Sequence, residues 1–305
     1  MRSSLAAALA DGPVVLDGGL ATELERAGAD VSSALWSARL LHDDPDAVVA
    51  AHAAFFAAGA RIATTASYQA SDRGFRGAGL GDAGPLLRRS VELAAQARHH
   101  AGLDDVAWVA ASVGPYGAVL ADGSEYTGAY AGELGVSGLR AFHRPRLEVL
   151  AEAGADVLAC ETVPAAAEAE ALLTEVDRLG VPAWLSLTTT LDADGTVRTR
   201  RGEPAAEVFA MAAQVPGVVA VGVNCTAPSG VLPAVHAAAA SGLPVVTYPN
   251  SGEVWDAGAR RWTGSATLDE ADVTAWVAAG ARLVGGCCRV GPREIATVAA
   301  LLSPA

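Results

Sequence analysis

Short apolar runs alternate with alanine-rich amphipathic stretches along the whole chain, which is the pattern of a parallel sheet whose strands are joined by crossover helices. Eight runs read as strands: 14–19, 61–68, 106–115, 157–164, 183–190, 218–225, 244–250 and 282–288. Stretches such as 86–101, 139–153, 165–179 and 268–279 read as the intervening helices. The joints are lopsided. Helix-to-strand joints are brief and carry Gly59, Gly154, Gly180, Gly242 or Gly280, whereas the strand-to-helix segments 70–85, 116–136, 191–203 and 251–267 are long and rich in glycine, polar and aromatic residues. In a (β/α)8 TIM barrel such loops gather at the C-terminal rim, where these folds place their chemistry. No linker or composition break divides the chain, so one barrel domain over 1–305 is expected. A doubly wound open sheet is the alternative, but no GxGxxG fingerprint follows the first strand.

Composition narrows the chemistry. With 51% apolar residues and 33 glycines the chain can bury a large core. All 21 cations are arginine, so no lysine is present to form a Schiff base. The net charge of −13 disfavours a nucleic-acid partner, whose phosphates call for a basic footprint. The alanine-rich start is too short for a secretory signal, and no apolar run reaches the ~18 residues of a membrane span. A soluble cytoplasmic protein without a membrane partner, as a monomer or small homo-oligomer, is the expectation.

Polar residues toward the strand ends form a site inventory: Asp17, Thr65, Ser67, Ser112, Glu161, Thr188, Asn224, Cys225, Asn250, Cys287 and Cys288. Three of the four cysteines are among them, on strands six and eight, whose inward residues can share a barrel layer. Cys287 and Cys288 are neighbours, so they meet one ion only where the chain bends, which Gly285 and Gly286 permit. Three thiolates with an open fourth position would form a catalytic zinc site that activates a thiol. A redox pair or small core residues are the alternative. No histidine lies at a strand end, so sulfur is the expected metal ligand.

Asp17 in Leu16-Asp17-Gly18-Gly19 sets a carboxylate beside exposed backbone N–H groups, a corner able to hold an amino acid by both ends; an ordinary turn is the other reading. Glu161, late in an apolar strand, suits a substrate ammonium or an internal ion pair, and Cys160 beside it alternates into the core. Trp36, Tyr68, Tyr116, Tyr126, Tyr130, Tyr248 and Trp255 could line the mouth for a cationic donor or simply pack. The pairs Arg88-Arg89, Arg200-Arg201 and Arg260-Arg261 read as solvated faces or loop charges.

These stretches also carry a family resemblance. The segments at 16–24, 35–38, 63–70, 112–117, 222–225, 248–253 and 285–289, which include Ser112-Val113-Gly114-Pro115 and Gly285-Gly286-Cys287-Cys288-Arg289, run in order over nearly the whole chain. Together they resemble the homocysteine S-methyltransferase family, especially members that use S-methylmethionine. The resemblance implies a zinc-bearing barrel with Cys225, Cys287 and Cys288 as ligands. It also implies recognition of homocysteine by Asp17 and Glu161, with backbone groups near Gly18 and Gly19 assisting. A zinc hydrolase and a non-catalytic thiol- or metal-binding protein are the competing classes. Because the chain ends soon after its eighth strand and helix, a free donor rather than a corrinoid module is expected. Betaine-using relatives carry additional sequence beyond the barrel, so a small sulfonium is the expected donor, S-methylmethionine ahead of S-adenosylmethionine; it leaves as a neutral thioether and needs no acid.

Overall fold

A computed structural model describes residues 2–31, 35–256 and 261–303, apart from the side chains of 254–256, 261 and 262. Eight parallel strands form one sheet: β1 (Val14–Val15), β2 (Ile62–Thr64), β3 (Trp108–Val113), β4 (Val157–Val163), β5 (Ala183–Leu187), β6 (Val218–Asn224), β7 (Val245–Tyr248) and β8 (Ala281–Val284). Their spatial order is β1-β8-β7-β6-β5-β4-β3-β2, and a parallel bridge from Leu16 to Ile62 joins the two ends into a barrel. The (β/α)8 expectation holds.

Side-chain alternation builds two cores. Val14, Leu16, Ile62, Trp108, Ala110, Val157, Ala159, Trp184, Ala220, Val246 and Leu283 fill the barrel interior, and Leu5 and Leu9 of the N-terminal helix Leu5–Asp11 join them. Their neighbours Val15, Ala63, Val109, Leu158, Cys160, Leu185, Val221 and Val284 face the helical ring. A period of two on strands buried on both faces explains the unbroken apolar runs in the sequence. All five glycines of the helix-to-strand joints have left-handed φ, from +65° at Gly180 to +117° at Gly280, where a side chain would be strained.

The strands are shorter than the apolar runs, because the mouth residues leave the ladder before their polarity shows it. Two long loops contain antiparallel hairpins, Thr189–Leu191 with Val197–Thr199 and Val254–Asp256 with Arg261–Thr263. The helix expected from 139 begins at Ala131, passes a break at Gly135 (φ +61°) and ends at Glu152. No helix among the described residues is long and apolar enough to cross a membrane.

Candidate metal centre

β6 ends at Asn224, and Cys225 turns out of it with φ +47°, in the left-handed region that a non-glycine residue rarely enters. Cys287 and Cys288 lie three and four residues beyond Val284, so neither is on extended strand. Between β6 and β8 runs β7, and its exit segment clamps both corners. The Tyr248 carbonyl accepts from Cys225 N–H (3.3 Å), the Pro249 carbonyl accepts from Cys287 N–H (2.7 Å), and Ser251 N–H donates to the Cys288 carbonyl (3.0 Å). The three Sγ atoms consequently all lie within 4.8 Å of one another, with Cys287 and Cys288 at 3.9 Å. Metal–thiolate bonds of ~2.3 Å at tetrahedral angles separate two sulfurs by ~3.8 Å, so the thiols fit one ion. Hydrogen bonds from Cys225 and Cys287 hold the Cys288 thiol well below the usual thiol range. Among the described residues this is the only such group, and no histidine joins it.

Gly285 and Gly286 matter for a reason other than a bend. Neither has a left-handed φ; that conformation falls on Arg289 (φ +66°). Close approach is what requires them. A Cβ on Gly285 would lie 2.5 Å from the Asp17 carbonyl, and one on Gly19 would lie 2.5 Å from the Cys287 carbonyl. The glycine pairs at 18–19 and 285–286 mesh, and Gly286 N–H donates to the Asp17 carbonyl at 3.0 Å. Asp17 thereby sits at the root of the cysteine turn.

Both expected carboxylates are buried. Asp17 accepts from Thr64 N–H (2.6 Å) and Thr64 Oγ1 (2.8 Å), and burial still raises its pKa to about 8. Glu161 accepts from the Ser112 hydroxyl, and burial pushes it up to about 7. Neither forms an ion pair in contact among the described residues, although the buried Arg146 guanidinium lies within electrostatic reach of Glu161 and favours its charged form. Cys160 points away into the helical core, and burial pushes its thiol up to about 12.

Thr162, absent from the inventory, is central to the site. The β4–β5 register slips between Cys160 and Val163, and Thr162 takes φ +59°, a strained conformation for a β-branched residue. Asn224 pins it: its Oδ1 accepts from Thr162 N–H and its Nδ2 donates to Thr162 Oγ1, both at 2.7 Å. Ser186 also donates to Asn224 Oδ1 (2.8 Å) and meets the Tyr248 hydroxyl at 2.6 Å. The bulge turns the Thr162 hydroxyl toward Tyr68 and Cys225. A lone threonine in an apolar strand gives no sequence signal for this.

The aromatic residues divide. Tyr68 and Tyr126 lie within electrostatic reach of the cysteines, and Tyr248 is buried against Trp184 beside Glu161. Tyr116 and Tyr130 pack on each other and on Glu168, which accepts from Tyr116 N–H, the Tyr130 hydroxyl and His143 Nε2, so they anchor a loop. Trp36 starts a 3-10 turn at φ +51°. The side chains of Trp255 and Arg261, and Arg260 entirely, lie outside the described residues. Arg88 is solvated as expected. Arg200 is not: its Nε donates to Thr188 (3.2 Å), its guanidinium lies 5.9 Å from the centre of the Tyr126 ring, and burial lowers its pKa. The arginine-rich loop folds inward over the mouth, which charge alone could not reveal.

Fold and site together define a (β/α)8-barrel enzyme with a cluster of three cysteines at its C-terminal rim, spaced so that it could hold a metal ion. The chain belongs to the homocysteine S-methyltransferase family, whose pattern it matches over residues 14–302, and is accordingly a methyltransferase. It is 45% identical to homocysteine S-methyltransferase of Escherichia coli over 94% of each chain. Homocysteine S-methyltransferase 3 of Arabidopsis thaliana is 43% identical, over 96% of this chain and 90% of that one. The metallated form of the Escherichia coli homocysteine methyltransferase MmuM superposes with a TM-score of 0.83 at 41% identity, covering 96% of this chain and 98% of that structure.

Proposed function

We propose that this protein methylates the thiol of homocysteine to give methionine, with S-methylmethionine ahead of S-adenosylmethionine as donor, and that Cys225, Cys287 and Cys288 hold zinc. The observation that carries the reading is the convergence of three thiols beside two buried carboxylates that have no ion-pair partner in contact among the described residues. Zinc, when bound, supplies a Lewis acid that makes a substrate thiol a thiolate at neutral pH. The chain's own residues do the rest. Glu161, with Asp17 beside it, receives the substrate ammonium, and backbone near Gly18 assists in orienting the amino acid, whereas Gly19 N–H is already taken by the Val290 carbonyl at 2.9 Å. Asn224 and Thr162 fix the wall behind the reacting sulfur.

In the reaction the homocysteine S–H proton is lost to solvent. A new S–CH3 bond forms as the donor's S–CH3 bond breaks, and the donor leaves as a neutral thioether. No acid is needed at the leaving group, so alignment and charge neutralisation are the protein's tasks. The histidine ligands usual in a zinc hydrolase are missing, since among the described residues no histidine joins the three cysteines. We read 1–305 as one homocysteine-binding domain, cytoplasmic, and monomeric or a small homo-oligomer. The test is to incubate zinc-loaded protein with homocysteine and S-methylmethionine, S-adenosylmethionine or betaine in turn and quantify methionine. A preference for betaine would overturn the donor assignment, and no methionine from any donor would overturn the reading.

A further inference from the structure

Two opposite charges at the mouth remain unpaired. Glu125 belongs to the turn Ser124–Tyr126, which rests against β4; its Oε2 is buried with no hydrogen-bond partner, and it lies within electrostatic reach of Cys225. Arg200 follows the hairpin strand Val197–Thr199 and also lies within reach of Cys225, and no carboxylate forms an ion pair with it among the described residues. Tyr126 links them, adjacent to Glu125 in sequence and beneath the Arg200 guanidinium. Its hydroxyl end faces the cysteines and Tyr68, while the residue as a whole keeps 37% of its surface exposed.

Each group sits on an anchored loop. A Cβ on Gly117 would lie 2.4 Å from Glu125 N, so the helix Tyr116–Leu120 seats the turn closely. Arg201 ties the hairpin to the same loop through Gly128 O (3.2 Å) and to the end of β4 through Pro164 O (3.1 Å). Thr188, which accepts from Arg200, donates to the Cys225 carbonyl at 3.3 Å. A half-buried anion and a half-buried cation that do not pair with each other, next to the same aromatic residue, match a ligand carrying both charges.

We propose that Glu125, Tyr126 and Arg200 form a second amino acid subsite beside the metal centre, which takes the methyl donor by its α-carboxylate on Arg200 and its positive charge on Glu125 and the Tyr126 ring. The inference rests on the function proposed above and deepens it by naming the residues that would take the donor, a sulfonium-bearing amino acid. Homocysteine keeps the Asp17–Glu161 side.

The test uses the full-length zinc-loaded protein, its Arg200→Gln, Arg200→Lys and Glu125→Gln variants, and two probes: S-methylmethionine and the dimethylsulfonium amine that lacks its carboxylate. Affinities come from calorimetry without homocysteine, and donor and homocysteine KM values from steady-state rates. Arg200→Gln should weaken S-methylmethionine by about tenfold to a hundredfold, the worth of a charge-assisted hydrogen bond, and Arg200→Lys by less. The carboxylate-free probe should bind wild type and Arg200→Gln alike, Glu125→Gln should weaken both probes, and zinc content and homocysteine KM should not move. An unchanged donor affinity, or an equal loss for homocysteine, overturns the subsite. If wild type makes methionine from S-methylmethionine and the variants bind it as tightly, only this inference fails; if wild type makes none, the donor assignment fails first and the subsite with it.

Discussion

Replacing Glu161 by glutamine should make the protein more stable and less active. The carboxylate is 6% exposed, and burial raises it from 4.5 to about 7. A folded-state pKa above the unfolded value means that stability is lost as pH rises from the unfolded pKa through the folded one. The window is therefore pH 4.5 to 7, and above it the ionised side chain costs about 3 kcal/mol at ~1.36 kcal/mol per unit. Glutamine keeps an oxygen that accepts from Ser112 and carries no charge to desolvate. For a chain of 305 residues the unfolding entropy is roughly 0.6 kcal/mol per kelvin, so the gain in Tm at pH 8 should be about 5 °C, shrinking toward zero near pH 4.5. The same substitution should raise homocysteine KM by about tenfold to a hundredfold, because an ammonium contact with a buried carboxylate is worth ~1.5–3 kcal/mol. Calorimetric melts of both proteins across pH 4.5–8, with KM measured at pH 8, check both arms. A Glu161→Gln protein that melts lower at pH 8, or that keeps wild-type KM, refutes the reasoning, since the carboxylate would then be structural.

Serine at Cys225, Cys287 or Cys288 should abolish both metal retention and methyl transfer, while Cys160→Ser should keep the metal; metal analysis after dialysis decides, and tight stoichiometric zinc in Cys287→Ser would sink the ligand set. Asn224→Ala leaves the buried Thr162 N–H without an acceptor and should cost about 2–4 kcal/mol in urea unfolding and lower kcat/KM more than it raises homocysteine KM; an unchanged urea midpoint contradicts the pinning role. His52 is fully buried with both ring nitrogens unpartnered, and burial lowers it to about 4. Its folded pKa lies below the unfolded 6.5, so stability should fall as pH drops from 6.5 to 4, and His52→Leu should flatten that slope in melts taken over the same range.

Much of the barrel was legible because its signals are local. Apolar runs buried on both faces, the glycines at five helix-to-strand joints and the long polar loops after four of the strands are properties of short stretches. The cysteines were legible as a group, as was the alternation that separates Cys160 from Glu161. What stayed hidden depends on contacts between distant segments. Nothing around Thr162 shows that Asn224, 62 residues later, will hold it in a left-handed conformation. Arg200 reads as an ordinary loop charge and Glu125 gives no signal, because their burial is set by how two loops fold over one rim. The role of Gly285 and Gly286 was hidden for the same cause: meshing with Asp17 and Val290 is visible only once β1 and β8 are neighbours.

The distribution of unfavourable features supports the site assignment independently of any motif. Among the described residues five non-glycine positions have left-handed φ, and three of them, Thr162, Cys225 and Arg289, belong to or flank the cysteine cluster. Each such backbone costs about 1–3 kcal/mol. Asp17 and Glu161, the two buried carboxylates raised by desolvation, face the same space. Together these terms reach the scale of a whole domain's net stability, roughly 5–15 kcal/mol, so the apolar layers around the barrel must offset them. A core without chemistry to perform would have no reason to concentrate strain and unpaired charge at one rim. A cation on the three sulfurs and an ammonium on Glu161 each answer one of these deficits. Zinc and homocysteine should therefore each raise the Tm, and the increments should be separable by adding them in turn. If homocysteine gave the same increment to metal-free protein as to zinc-loaded protein, its thiol would not be meeting the metal, and the assignment of the substrate sulfur to the open position beside Cys225, Cys287 and Cys288 would be wrong.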